Sequence, residues 1–314
     1  MKSQKDVPLV TIRCLVYNHE PYLRQCLDGF VMQKTNFRFE AIVHDDASTD
    51  GSADIIREYA AKYPDIIKPI IETENQYSKR DGSLGRIMNA HTHGKYVALC
   101  EGDDYWIDPL KLQKQVDFLE SNSDYVMTYS DAIVVDGNSK PIFHRAPRRY
   151  SGNITKELLN KGNFIRTASA CFRNRYEEYS IEREKIPFKL MMADLPMWIY
   201  YSTIGKVHCF DEKMVAYRVL LESASHFSDK SKLIAFYANA EQITKYFNLR
   251  YNVGLSEEDI EHRCDVSRVR AMATISRQEF VSHWITLIKK RKRVLFNIRL
   301  NIIAFIRIVC NRRV

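Results

Sequence analysis

The sequence has no pair of cysteines spaced as CxxC. Its seven cysteines are an odd number and are scattered along the chain, so they predict neither a disulfide framework nor a zinc site. Residues 1–7 are polar and charged and contain no apolar run of the kind that a secretory signal needs. We therefore expect a protein of the reducing cytoplasm. Internal repeats and low-complexity segments are also absent from the sequence.

Acidic residues are missing from one part of the chain, its carboxyl end. Residues 285–314 hold nine Lys and Arg and no Asp or Glu, whereas the rest of the chain carries 38 basic and 39 acidic side chains. The net charge of +8 therefore comes from the end of the sequence. A body without a basic excess argues against a protein that binds nucleic acid. With 314 residues the chain can bury a large core, in one domain or two.

A short apolar run ends abruptly in acids and aromatics between Tyr96 and Trp106. The run predicts a strand buried on both faces, which is typical of parallel sheets whose binding crevices lie beyond the carboxyl ends of the strands. Glu101, Asp103 and Asp104 would then stand at a crevice. Neighbouring carboxylates repel one another unless a cation compensates, and Mg or Mn bound with substrate phosphates suits their oxygens. The alternative is an acidic loop that caps the next helix.

Strands and helices alternate in the amino-terminal part of the sequence. Apolar runs predict strands at 9–17, 37–43, 66–71 and 96–100. This alternation indicates an α/β fold with a parallel, doubly wound sheet. The second strand is also followed by paired acids, Asp45 and Asp46, and right-handed crossovers would bring them to the same edge as the acids after the fourth strand. We interpret this convergence as a functional site, although Ser48 or Asp50 could instead simply cap the following helix.

A predicted helix over residues 187–201 carries one acid, Asp194, among apolar side chains. An acid in such a setting is either paired or has a raised pKa, which suits a general base. Because Pro196 follows so closely, Asp194 could equally be a satisfied residue at the start of the helix. Further strands are predicted at 125–135, 164–172, 206–210 and 214–219.

The carboxyl-terminal part of the sequence predicts helices only. Residues 231–288 alternate apolar and charged positions at helical spacing, which indicates two or three helices. Residues 289–314 begin with five basic side chains and continue with an apolar sequence that polar residues interrupt too often for a spanning helix. As a helix this segment would have one mostly polar stripe, the pattern of a basic helix lying in a membrane interface. The alternative is a helix packed on the protein's own core or on another subunit.

Several segments, in this order, resemble the inverting GT-A glycosyltransferases of family 2, and among them a bacterial branch that makes surface polysaccharides. They are YNHE (17–20), DDASTDG (45–51), EGDDYW (101–106), DLPMW (194–198) and YRVLLESASH (217–226). The resemblance implies a GT-A domain over 1–230, built on a Rossmann-like, mostly parallel sheet flanked by helices. It leaves a helical extension over 231–288 and the basic amphipathic helix over 289–314.

The resemblance also implies how the donor nucleotide is bound. Tyr17 would stack on the base of the donor, and Asp46, helped by Asp45, would hold its ring or ribose. Asp103 would bind the ribose and metal side of the donor. Residues 15–16 are Leu-Val where the family commonly has Pro-Thr, so a hydroxyl contact to the nucleotide is not expected at that point.

For the chemistry, the resemblance implies a metal and a base. Asp104 would coordinate Mn or Mg on the diphosphate, His226 would touch the metal or the diphosphate, and Asp194 would deprotonate the acceptor hydroxyl. A departing diphosphate gains charge that a metal neutralises, and a hydroxyl nucleophile needs a positioned base. Attack from the face opposite the leaving group inverts the anomeric carbon.

We therefore expect a cytoplasmic glycosyltransferase, peripherally bound to the inner face of the cytoplasmic membrane. It would move a sugar from a nucleotide-diphosphate donor to a hydroxyl of a lipid-linked or cell-surface glycan. Among such donors we expect a UDP-sugar. One alternative is a nucleotidyltransferase, but such enzymes normally have a Gly-rich phosphate loop, which residues 15–20 do not offer. The other alternative is a catalytically silent, membrane-docked module that binds glycans or acts as a scaffold. The presence of both Asp104 and Asp194 argues against it.

Overall fold

The computed structural model describes residues 7–142, 149–220, 230–275 and 277–290. The chain forms two compact units. The first is built from residues 1–154, 164–185 and 200–219, and the second from residues 155–163, 186–199 and 220–314.

The described residues of the first unit form an eight-stranded sheet. Its strands are β1 Val10–Val16, β2 Phe39–Asp45, β3 Ile67–Ile71, β4 Tyr96–Leu99, β5 Tyr105–Trp106, β6 Tyr125–Val135, β7 Cys171–Arg173 and β8 Lys206–Arg218. Across the sheet they lie in the order β3-β2-β1-β4-β7-β6-β8-β5. All strands run in one direction except β7 and β5, which are antiparallel to their neighbours. The predicted mostly parallel α/β sheet is confirmed.

Helices connect and follow these strands. In the first part of the chain they are α1 Glu20–Val31, α2 Ser52–Lys62, α3 Gln76–Lys79, α4 Ser83–Ala90, α5 Lys111–Ser121, α6 Thr155–Lys161, α7 Tyr176–Glu184 and α8 Asp194–Ile204. The last three described helices are α9 Lys230–Arg250, α10 Glu257–Ile275 and α11 Arg277–Lys290, which confirms the helices predicted over 231–288. In the described residues, we find no helix with the length and apolar content that crossing a membrane requires.

The core of the first unit forms around β1, which lies between β2 and β4. Helix α1 covers this part of the sheet, and Leu23, Leu27 and Phe30 bury one face of the helix because they recur every three or four residues. The Phe30 ring meets the Trp106 ring edge to face, with 5.0 Å between centroids. Burying a side chain of this size is worth roughly 1.5–3 kcal/mol. The helix is therefore anchored to the segment that follows β4.

Three of the predicted strands differ from the structure. Only the end of the segment 164–172 reaches the sheet, because residues 167–169 form a 3-10 turn in which the Ser169 hydroxyl donates to the carbonyl oxygen of Arg166. The two short strands predicted at 206–210 and 214–219 are one strand, β8, whose pairing with β6 shifts register near Asp131. A bulge of this kind lets a long strand continue past an irregular position.

Candidate active site

The acids that follow β2 and β4 lie together at one edge of the sheet. In the register between β1 and β2, Val16 is paired with Asp45. The backbone N–H of Asp46 donates to the carbonyl oxygen of Val16 over 2.9 Å, and the N–H of Gly102 donates to that of Leu15 over 3.0 Å. Both acidic segments are therefore tied to the end of β1, and the predicted convergence of the strand ends is confirmed.

Two residues in the left-handed conformation turn the chain at this edge. They are Asn18, with φ 56°, and Ala47, with φ 62°. Neither is a glycine, so each stores backbone strain, and such strain is concentrated at functional sites. The Asn18 side chain compensates in part, because its oxygen accepts the backbone N–H of Thr49 over 2.8 Å. The loop after β1 and the loop after β2 thus hold each other in place.

Asp46 uses both carboxylate oxygens within the protein. One oxygen accepts the backbone N–H of Gln76 over 2.6 Å, and the other accepts that of Tyr77 over 3.0 Å. Only 5% of Asp46 is exposed. The carboxylate therefore satisfies the free N–H groups at the start of α3, in the manner of a helix cap. In this structure Asp46 fixes the position of α3 and its exposed Tyr77.

Asp45 has one oxygen left over. Its Oδ2 accepts the backbone N–H of Ser48 over 3.1 Å, but its buried Oδ1 has no hydrogen-bond partner among the described residues. An unsatisfied buried acceptor is costly, and it indicates a donor that is not part of the chain. Tyr17, which follows β1 directly, is 48% exposed. The structure thus places an open acceptor and an accessible aromatic ring at the same edge of the sheet.

The loop after β4 concentrates negative charge. It closes with a hydrogen bond from the Asp104 backbone N–H to the carbonyl oxygen of Glu101, over 3.1 Å. Burial raises the pKa of Asp104 well above its usual range, and the charges of Asp103 and Glu101 add to this effect. The Asp104 Oδ1 accepts the backbone N–H of Arg218 over 2.7 Å, whereas Asp103 is partly exposed. A positive charge bound here would relieve the repulsion.

These residues fit a divalent cation that a phosphate ligand helps to hold. No cluster of three or more His, Cys, Asp or Glu arranged as metal ligands occurs in the described residues. Mg and Mn bound through substrate phosphates, however, need only one or two protein carboxylates, and Asp103 and Asp104 supply two. Burial raises the pKa of Asp104, the charges of Asp103 and Glu101 add to this effect, and a cation at this place would offset the unfavourable negative charge. The other predicted ligand, His226, lies outside the described residues.

His19 supports the acidic loop from below. Its buried Nδ1 would lie 2.8 Å from a Cβ atom placed on Gly102, so only glycine leaves room for the ring. Burial lowers the pKa of His19, although the charges of Asp103, Asp50 and Asp45 oppose this shift. The ring is therefore neutral at pH 7. His19 lies in the segment 17–20 that resembles the family, but the resemblance implies no role for it. The sequence signal for its position is Gly102, the glycine inside an otherwise acidic segment.

Asp194 lies in the second unit, as the first residue of α8. Its Oδ1 accepts the backbone N–H of Leu195 over 2.7 Å, and its Oδ2 accepts the side-chain amide of Asn163. The apolar side chains near Asp194 differ in burial, since Trp198 is buried but Met191 is 39% exposed. The position agrees with a helix-start residue, and the role of general base stays a prediction.

A buried lysine lies behind the acidic loop. The Lys111 ammonium is 4.1 Å from the centre of the Trp106 ring and donates to Gln115 Oε1 over 2.7 Å. The Trp106 indole N–H in turn donates to the carbonyl oxygen of Ala168 over 2.9 Å. Burial lowers the pKa of Lys111 from 10.5 to about 8. The cation–π contact and the amide offset only part of the cost of burying this charge.

The lowered pKa predicts a pH-dependent stability. The unfolded chain binds this proton more tightly than the folded chain, so the charged lysine costs stability below pH 8, and the cost disappears as the pH rises towards 10.5. Between pH 7 and pH 9.5, the free energy of unfolding of the parent should rise by about 2 kcal/mol relative to Lys111→Met. Urea denaturation at several pH values measures this difference. Lys62→Met, at an exposed position of α2, is the control, and parallel curves for the parent and Lys111→Met would contradict the prediction.

Comparison with known proteins defines the class to which this fold and site belong. The family model for glycosyl transferase family 2 matches residues 14–180. This is more than half of the chain, and the chain belongs to that family.

Individual relatives match part of this chain at moderate sequence identity. An uncharacterised protein of Mycobacterium tuberculosis is 35% identical over 209 residues, which cover 67% of this chain and 58% of the relative. The chain therefore spans less than two thirds of the length of this relative.

Two solved structures share the fold. S. aureus TarS, residues 1–349 in complex with UDP-GlcNAc, superposes with a TM-score of 0.56 at 14% identity, over 89% of this chain and 80% of that chain. A mannosyltransferase from Pyrobaculum calidifontis in complex with GDP-Man and Mn2+ gives a TM-score of 0.53 at 16% identity, over 89% of this chain and 75% of that chain. The predicted GT-A fold is confirmed.

Proposed function

We propose that the protein is an inverting glycosyltransferase that moves a sugar from a nucleotide-diphosphate donor to an acceptor hydroxyl. The observation that carries this proposal is the convergence at the end of β1. There, an open buried acceptor on Asp45 lies at the same sheet edge as the carboxylates of Asp103 and Asp104. The Asp45 acceptor suits the base of a nucleotide, and the carboxylates of Asp103 and Asp104 suit its metal-bound diphosphate.

In this proposal the donor base is bound by Asp45 at its edge and by the Tyr17 ring at its face. The Asp45 Oδ1 accepts a ring N–H of the base, and the exposed Tyr17 stacks on its face. Asp46 acts through α3, whose start it holds. Uracil and guanine both offer a ring N–H to an acid, and the two solved neighbours bind UDP-GlcNAc and GDP-Man respectively. We favour a UDP-sugar, and the measurement below separates the two bases.

The chemistry follows from the remaining acids. Asp103 and Asp104 would hold Mn or Mg, with His226 as a further ligand of the metal or the diphosphate. When bound, the cation neutralises the charge that develops on the departing diphosphate. Asp194 accepts the proton of the acceptor hydroxyl on a carboxylate oxygen, while the Asn163 amide orients this carboxylate. The deprotonated hydroxyl displaces the diphosphate in a single step from the opposite face, without a covalent intermediate, and this inverts the anomeric carbon.

The alternatives are weaker or can be separated by experiment. Membership of glycosyl transferase family 2 speaks against a nucleotidyltransferase. A silent glycan-binding or scaffold module would share the fold but would not turn over a donor, so the test below distinguishes it.

A panel of nucleotide sugars tests the proposal. Binding of UDP, GDP and their sugars is measured by calorimetry with and without Mn, together with Mn-dependent hydrolysis of each donor. We expect one base to bind in preference, and Asp45→Asn to weaken that binding by about tenfold or more, because the open acceptor is replaced by an amide. Asp117→Asn, at an exposed position of α5, is the matched control. If no nucleotide binds with or without Mn, the proposal is wrong.

We further propose that the acceptor is a lipid-linked or cell-surface glycan in the synthesis of a surface polysaccharide, reached from the cytoplasmic face of the membrane. The support is the basic, amphipathic sequence of residues 289–314, most of which lies outside the described residues. A protein bound at the membrane surface encounters such acceptors by diffusion along that surface.

Deletion of residues 289–314 tests the membrane contact. The truncated protein should no longer sediment with vesicles that contain anionic lipid, whereas the parent should, and the parent should be released by high salt. Uncharged vesicles are the control, since basic residues add attraction only to an anionic surface. Undiminished sedimentation of the truncated protein would show that another part of the chain binds the membrane.

A further inference from the structure

Arg218, the last residue of β8, is a buried cation with many partners. Only 3% of it is exposed. Its Nε donates to the carbonyl oxygen of Asp103 over 2.7 Å, and its Nη2 donates to Gln25 Oε1 over 2.8 Å. Its Nη1 donates to carbonyl and hydroxyl oxygens of the turn at 136–139, over 3.1 to 3.2 Å. The side chain thus joins the acidic loop to α1 and to the turn after β6.

Arg218 contacts the acidic loop in two places. Besides the bond from Nε to the Asp103 carbonyl, its backbone N–H donates to Asp104 Oδ1 over 2.7 Å. The next residue of the loop, Tyr105, pairs with Ala216 where β5 meets β8. The positions of the Asp103 and Asp104 carboxylates therefore depend on where the end of β8 lies.

Among the described residues, the hydrogen-bond partners of the Arg218 side chain are neutral oxygens, namely three main-chain carbonyls, a hydroxyl and a side-chain amide. The guanidinium also lies over the Tyr22 ring, 4.5 Å from its centre, and near the Tyr105 ring at 5.5 Å. It binds the Asp103 main chain rather than its carboxylate. Five hydrogen bonds from the guanidinium fix the side chain in this arrangement. It orders the loop and leaves the Asp103 carboxylate for a ligand.

We propose that Arg218 is a positioning residue, which holds the loop 101–104 in the arrangement that binds the metal of the donor diphosphate. This inference rests on the proposed glycosyltransferase function. Groups that orient metal ligands from behind typically change metal affinity by about 10- to 100-fold when they are replaced. The geometry separates this role from donor-base binding, because in the described part of the chain neither Asp45 nor Tyr17 forms a hydrogen bond or ring contact with Arg218, and both lie at other strand ends.

Arg173 provides a matched control at a distance from the loop. It too is an arginine whose guanidinium donates to main-chain carbonyl oxygens, those of Tyr125 and Leu119. It lies at the end of β7, where Arg173 is paired with Tyr96 at the start of β4 rather than with its acidic end. Replacing either arginine by lysine removes part-buried hydrogen bonds to main-chain carbonyl oxygens. Both variants should lose thermal stability, so stability alone cannot separate them.

The experiment compares the parent, Arg218→Lys and Arg173→Lys. Binding of Mn²⁺ in the presence of UDP is followed by electron paramagnetic resonance, binding of UDP without metal by calorimetry, and the thermal midpoint by calorimetric scanning. We expect Arg218→Lys to weaken Mn²⁺ binding by about tenfold or more, with metal-free UDP binding within about twofold of the parent. Arg173→Lys should lower the midpoint while leaving Mn²⁺ binding unchanged.

Gln25→Met extends the test if Arg218→Lys does not fold. This change removes the acceptor of Nη2 and leaves the arginine in place, so Mn²⁺ binding should weaken in the same direction, by about threefold. Parent-like Mn²⁺ affinity in Arg218→Lys, or in Gln25→Met where the first variant does not fold, would overturn the positioning role. A parent protein that binds neither UDP nor GDP would instead overturn the proposed function itself.

Discussion

Replacing Asp194 by Asn is expected to lower the rate of sugar transfer by a factor of about 10² to 10⁴. This is the range in which a positioned general base contributes to a reaction. The amide keeps an oxygen that can accept the backbone N–H of Leu195, as Oδ1 does in the parent, but it can no longer take a proton. The change therefore removes the base while the start of α8 keeps its hydrogen bond.

The choice of Asn separates the two interpretations of Asp194. Asn and Asp are similarly good at the start of a helix, so a residue that serves only the helix should tolerate the exchange. The measurements are single-turnover transfer with the preferred donor, donor affinity, and the thermal midpoint. Donor affinity and midpoint should stay close to those of the parent. Transfer within about tenfold of the parent would show that Asp194 is a helix-start residue and that the base lies elsewhere.

Replacing Asp104 by Asn should weaken metal binding and at the same time stabilise the metal-free protein. The parent carboxylate is buried beside Asp103 and Glu101, and this environment raises its pKa because the charged form is unfavourable there. Asn keeps an oxygen for the backbone N–H of Arg218 and removes the charge. We expect the enhancement of UDP binding by Mn to fall by more than about tenfold, since metal ligation by a carboxylate is lost.

This prediction is specific because Asp104→Asn should weaken metal binding and yet raise the stability of the metal-free protein. Without metal, the thermal midpoint of Asp104→Asn should lie above that of the parent, because the change removes a buried carboxylate and its repulsion by Asp103 and Glu101. With Mn and UDP, the parent should gain stability by mass action and the variant should gain little. Asp103→Asn, at a partly exposed position, should lose the Mn enhancement with a smaller change in the metal-free midpoint. An unchanged Mn enhancement in Asp104→Asn would remove Asp104 from the metal site.

The sheet and its acidic edge could be predicted because local sequence determines them. Apolar runs and the helices between them specify parallel strands, and parallel strands bring their carboxyl ends to one edge. The acids at 45–46 and 101–104 therefore had to converge once the strands were correctly placed. The two-residue strand β5 could not be predicted, because such a short pair of aromatics has no periodicity.

The division of labour within the site depends on contacts that are distant in sequence. Asp46 caps α3 through residues thirty positions later, and nothing in the acidic motif itself distinguishes it from Asp45. Arg218 lies 115 positions after Asp103 and 193 positions after Gln25, so its partners have no common pattern in the sequence. Arg218 lies in the segment 217–226 that resembles the family, but the resemblance implies no role for this arginine. Its role depends on the bulged strand that brings it back to the loop.

The pairing of β5 with β8 limits how this chain can be recombined with its relatives. The acidic loop, Tyr105 and Arg218 form one contact group although the last of them comes from a distant part of the chain. A hybrid that receives the segment 101–106 from one parent and β8 from another would pair a loop with a foreign partner. Crossover points that keep 101–218 together would pass the group on intact. A hybrid should therefore receive the whole stretch 101–218 from one parent, because the six-residue motif at 101–106 alone leaves out Arg218.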